Sequence, residues 1–135
     1  MKIENIFVRI CNDNELCDIN IEQEDKTMTF IGRNNDSLWN DIIMHIAENF
    51  TKGIFKINRK KSEITLSNVT LDVVRVDNRV GLEFTDKKNR NNITLFPASY
   101  TYNDSKFTVM ELIYEGDYEY NKVKNKVEKY FKVDA

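Results

Sequence analysis

His45 is the only histidine in the chain. Asp41 lies one helical turn before it and Glu48 one turn after. An imidazole between two carboxylates has the ingredients of an acid–base relay or a metal site. A single histidine rules out zinc sites built on two or three, and exposed pairs at this spacing are a common feature of solvated helix faces. The expectation is a charged outer face. Cys11 and Cys17 are the two thiols. Period-two alternation puts Cys17 with Ile19 and Ile21 on a core face and Cys11 with Arg9 on the opposite face. They are therefore not expected to bridge, and Cys17 reads as a small buried apolar residue. Asp18, Glu22, Glu24 and Asp25 have the carboxylate chemistry of glycoside cleavage or metal binding, but they alternate with apolar residues as a wetted strand face does.

There is no glycine-rich phosphate loop, nucleophile elbow, His-Glu-X-X-His or Cys-X-X-Cys. No catalytic residue, metal ligand or cofactor is assigned, and the chain reads as a non-enzyme. Binding chemistry is better represented. Arg59, Lys60 and Lys61 crowd one expected hairpin tip; Lys87, Lys88 and Arg90 crowd another, with Asn91 and Asn92 beside it. Cations on loop tips suit phosphates or an acidic partner, and they also serve as plain solvated turns. Tyr100, Tyr102 and Tyr114 belong to a tyrosine-rich last third. Tyrosine suits interfaces and ligand cavities, as well as the rim of an ordinary core.

These residues must be carried by strands and two helices. Ile6, Val8 and Ile10 alternate, as do Cys17, Ile19 and Ile21. Turns at Asp13-Asn14 and Asp25-Lys26 would make residues 1–33 a three-stranded meander. Asn35, Asp36 or Ser37 can cap a helix carrying the stripe Trp39, Ile42, Ile43, Ile46 and Phe50, with Gly53 as its left-handed terminator. Period two resumes at Ile54. A tip at Lys60-Lys61 sets Ile57 opposite Ile64 and Phe55 opposite Leu66. A turn at Asp77-Asn78-Arg79 follows, and the loop 86–91 sets Phe84 opposite Ile93 and Leu82 opposite Leu95. Pro97 ends that strand. Tyr100 and Tyr102 lead to Phe107, Val109 and the apolar stretch 110–114. A final helix from about Asp117 carries Tyr120, Val123, Val127 and Tyr130 or Phe131. The order is βββ-α-β(5–6)-α: an α+β domain spanning 1–135, with antiparallel meander sheet or sheets of eight to nine strands and two helices. A curved sheet gripping the last helix is one layout that fits this order.

The chain has 135 residues and a net charge of −2. Residues 1–50 hold 4 Lys/Arg against 10 Asp/Glu, and residues 51–97 hold 10 against 5. That segregation suits steering of a partner. No apolar run reaches membrane-spanning length, and residues 1–5 lack a signal-peptide core, so a cytoplasmic location is expected. Abundant Asn, Lys and Ile is the composition of an AT-rich coding sequence, as in low-GC bacteria and their phages. The leading functional expectation is a non-catalytic binding protein that engages a partner protein, as a bacterial or phage inhibitor or immunity-type factor. The second is a small polar or nucleotide-like ligand binder, with tyrosines and basic tips converging on one cavity around an anionic ligand. The third is nucleic-acid binding through the basic tips. An exposed edge strand would also allow homo-oligomers.

Overall fold

The computed structural model describes residues 2–133. Its elements are β1 (Ile3–Asp13), β2 (Leu16–Gln23), β3 (Lys26–Arg33), α1 (Asp36–Asn49), β4 (Phe55–Asn58), β5 (Glu63–Val76), β6 (Arg79–Asp86), β7 (Asn92–Leu95), β8 (Ser99–Asn103), β9 (Thr108–Leu112) and α2 (Asp117–Tyr130). The nine strands form one antiparallel sheet in the order β7-β6-β5-β1-β2-β3-β8-β9, with β4 paired to β5. This is the expected α+β class and element order.

Two hairpin registers match the sequence expectation residue for residue: Ile57 opposite Ile64, and Phe84 opposite Ile93. The first two hairpins are each displaced. Ile10 faces Ile19 rather than Cys17, and Ile21 faces Met28 rather than Phe30. Asn14 and Glu24 adopt left-handed backbone, with φ of 55° and 56°, so the tips are Asn14-Glu15 and Glu24-Asp25. Both displacements preserve parity, and Val8, Ile10, Cys17, Ile19, Ile21, Met28 and Phe30 all remain buried.

Asn35 caps α1 by accepting from the Leu38 N–H at 2.8 Å. Trp39, Ile42, Ile43 and Ile46 are buried along its inner face. Gly53 does take positive φ (94°), but it follows the helix end rather than terminating it. Phe50, in extended conformation, is the C-cap. Asn5 and Asn68 also have positive φ, and the β1–β5 register shifts around Ile6. These bulges bend the two central strands.

The bend has a measurable consequence. β7 and β8 lie six strand spacings apart in the sheet order, about 29 Å if the sheet were flat. The chain joins Leu95 to Ser99 through three residues, a span of at most about 14 Å. The sheet must therefore curl until the ends of β7 and β8 approach each other. Gly32 makes room for that crossing: a Cβ there would meet the Phe96 carbonyl oxygen at 3.3 Å and the Pro97 Cα at 3.7 Å. α2 lies within the curl. It contacts β5 and β6 toward one edge. Toward the other, Tyr130 stacks edge-on against Tyr102 and donates to the Thr27 carbonyl at 3.0 Å.

Candidate functional site

The two basic tips lie on the same flank, because β4 and β6 succeed each other along one side of β5. They do not share a cavity. Arg59 and Lys60, with Lys56, Ile57 and Asn58, border a shallow open depression of about 750 Å³. Lys61 is exposed beside it. The other tip is braced from below. Asp86 is fully buried; its Oδ2 accepts from the Thr51 N–H at 2.7 Å, and its Oδ1 accepts from the Lys88 and Asn89 N–H groups at 2.8 and 3.3 Å. Burial pushes its carboxyl pKa up, but these backbone donors outweigh burial and hold it below the usual carboxylate value. Asn89 and Asn91 each donate to the Asn49 carbonyl at 2.8 Å, tying the loop to the end of α1. Lys87 reaches Glu4 at 3.7 Å, while Lys88 and Arg90 extend into solvent.

The three tyrosines are separated in role. Tyr100 is fully buried, and its hydroxyl donates to Glu111. Burial raises its pKa first, and the neighbouring Glu111 carboxylate adds to the rise. Lys122 of α2 lies 3.7 Å from Glu111 and 3.4 Å from the buried Glu119. Burial alone would lower the Lys122 pKa; Glu119 and Glu111 together outweigh it and raise it. This cluster fastens β8 and β9 to α2. Tyr102 packs between Tyr100 and Tyr130, with the Lys126 ammonium 5.2 Å from its ring centre. Only Tyr114 is exposed and borders a cavity. The tyrosines and the basic tips do not converge.

His45 is exposed, and its Nε2 lies 2.8 Å from the Asn92 carbonyl, so it tethers α1 to β7. Cys17 is buried, and burial pushes its thiol pKa up to about 12. Cys11 is half-buried; both thiols are free. Among the described residues no group of three or more His, Cys, Asp or Glu is placed to hold a metal ion, and no helix is long and apolar enough to cross a membrane.

Two features stand where the sequence expectations did not place them. The first is a cleft of about 790 Å³ where the curled sheet nearly closes. Cys17, Ile19, Ile42, Val80 and Leu95 form its apolar floor, and Arg33, Arg79, Tyr114 and Glu115 stand on its rim. The second is the outer edge of the sheet at β9. Among the described residues nine large apolar side chains are exposed, and five of them fall between positions 107 and 118: Phe107, Met110, Leu112, Tyr114 and Tyr118. β9 has β8 on one side and no strand on the other. Its unpaired main-chain groups thus sit beside an apolar surface.

No family model, curated protein or solved structure matches this chain. The geometry of these two features is what bears on function.

Proposed function

We propose that the protein is a non-catalytic binding protein that captures an extended segment of a partner protein along β9, in the manner of an inhibitor or immunity-type factor. The observation that supports this reading is the concentration of exposed apolar side chains on a bare edge strand. A free strand edge offers main-chain donors and acceptors that an added strand satisfies, and alternate side chains then supply specificity. Met110 and Leu112 are 61% and 49% exposed and stand on the outer face, opposite Thr101 and Ser99. A monomer gains nothing by wetting such residues together.

Pairing with a second copy of the same chain is the competing use of this edge. A two-fold centred on Met110 would pair the same five residues that an added partner strand pairs, so the crosslinked product separates the two uses. Phe107, Tyr114 and Tyr118 are exposed beyond the strand ends.

The test uses a photo-crosslinking residue at position 110, with position 44 on α1 as control, since Met44 is also exposed (55%). Support requires that the protein crosslinked from position 110 be purified and form a stoichiometric complex. Met110→Lys must abolish that complex and Met44→Lys must leave it intact. A complex insensitive to Met110→Lys and Leu112→Lys overturns the reading, as does crosslinking that yields only a homodimer.

A further inference from the structure

The cleft makes a different contribution from the β9 edge. Its volume of about 790 Å³ falls within the roughly 300–1,000 Å³ of small-molecule sites. It is walled by segments that have no regular pairing with one another: the start of α1, the 96–98 crossing and the 113–115 segment that follows β9. The curl holds them apart at fixed spacing, because Ala98 N–H donates to the Ile31 carbonyl and Ile113 N–H to the Ala98 carbonyl, both at 2.8 Å. Cys17, Ile19, Ile42, Val80 and Leu95 make an apolar floor. Asn34, Asn35 and Thr94 add polar groups to the walls, and the Cys17 thiol stays protonated. The charged groups around the opening are Arg33, Arg79 and Glu115, an excess of one positive charge. Arg79 is the better placed of the two cations. Its guanidinium carbon lies over the cleft-lining Phe96 ring, 3.9 Å from the ring centre, and a guanidinium held on a ring face still presents N–H donors to a planar anion.

We infer that this cleft binds an amphipathic anion: an apolar body the size of a medium-chain acyl group on the Ile19–Leu95 floor, with a carboxylate-like head held by Arg79 and Arg33. The apolar floor favours a ligand with an apolar body. The two arginines select against neutral or cationic amphiphiles.

Titration of the full chain with decanoate and with decanol, followed by backbone amide chemical shifts, tests the assignment. Decanoate is expected to give saturable shifts at Ile42, Val80 and Leu95, with decanol at least tenfold weaker. Arg79→Gln should remove most of that preference while leaving decanol binding unchanged, and Arg33→Gln should act in the same direction. Leu38→Trp, at an exposed position on the cleft wall, should fill the site and weaken both ligands at least tenfold. Met110→Lys should change neither, which separates this inference from the β9 reading. Absence of saturable shifts at those three residues overturns the site. Equal affinity for decanoate and decanol, unchanged by both arginine substitutions, overturns the anionic ligand class.

Discussion

The two edges of the sheet are built on opposite plans. At one edge, β7 is four residues long, its Ile93 and Leu95 are buried at 8% exposure, His45 of α1 holds its first carbonyl, and Pro97 follows its end. Brevity, a covering helix and a nearby proline are the devices by which a sheet avoids unwanted pairing. At the other edge, β9 is also short, at five residues, but among the described residues its outer face has no covering helix and no proline stands beside it. It presents Met110 and Leu112 to solvent, and its one charged residue, Glu111, is turned inward to Tyr100 and Lys122. One chain thus protects one edge and leaves the other open, which argues that the open edge is used.

The sharpest way to break this comparison is to truncate the same residue type on both edges. Leu95→Ala should cost about 2–4 kcal/mol, because it removes a side chain buried beneath the curl and leaves a cavity. Leu112→Ala should change stability by less than about 0.5 kcal/mol. Urea denaturation of both variants gives the answer. Equal losses would mean that β9 is as firmly packed as β7, and the contrast between the two edges would collapse.

Next in size is Asp86→Asn, expected to cost about 2 kcal/mol, since the buried carboxylate accepts three backbone N–H groups where the β6–β7 tip meets the end of α1. Its folded pKa lies below the unfolded value of about 4. The group therefore stabilises the fold fully above that value and loses its contribution as pH falls through the folded pKa. Denaturation midpoints followed downward from about pH 7 should fall in the native protein below about pH 4. The Asp86→Asn variant should lack that share of the decline. A wild-type profile that stays flat through the acid range would remove Asp86 from the account of the protected edge.

Much of this architecture is legible in the residues themselves. Ile57 opposite Ile64 and Phe84 opposite Ile93 follow from apolar alternation on both sides of a turn. The first two hairpins are displaced because alternation fixes only parity. The left-handed positions at Asn14 and Glu24 set the tip, and a register two residues away buries the same side chains. The β3–β8 pairing, Met28 with Tyr102 and Phe30 with Tyr100, carries no local signal, since nothing in either segment names a partner some seventy residues away. The curl depends on that pairing, and so the cleft and its Arg79 are not visible in the sequence either. Phe107, Met110 and Leu112 read as ordinary strand residues for the same reason: sequence shows that they are apolar, but not that their face is left uncovered. The basic tips are legible as cations on turns, yet their separation into two unconnected sites depends on the sheet order.

The crossing that joins the two halves of the curl gives the third test. Gly32→Ala should cost about 1–2 kcal/mol, because the new methyl meets backbone atoms of Phe96 and Pro97 rather than a yielding side chain. The loss should be accompanied by amide shift changes at Ala98 and Ile113, whose hydrogen bonds depend on that close approach. A neutral Gly32→Ala would mean that the crossing is not held tightly against β3.

The smallest expected effect on stability is the most informative about use. Met110→Lys places a charge on a residue already 61% exposed, on the strand that nothing covers. Lysine is itself a residue that edge strands carry to prevent pairing, so the substitution converts the open edge toward the plan of the closed one. Folding stability should shift by no more than about 0.5 kcal/mol, read from the same urea series. Binding of a partner strand should be abolished, because a lysine seated beneath an added strand loses its hydration with no carboxylate on the outer face of β9 to receive it. The same substitution at Met44, also exposed but on a helix with no free main-chain groups, should affect neither property. If Met110→Lys destabilises the fold by as much as Leu95→Ala does, the edge is structural. If it leaves both stability and binding untouched, the asymmetry between the two edges has no functional meaning.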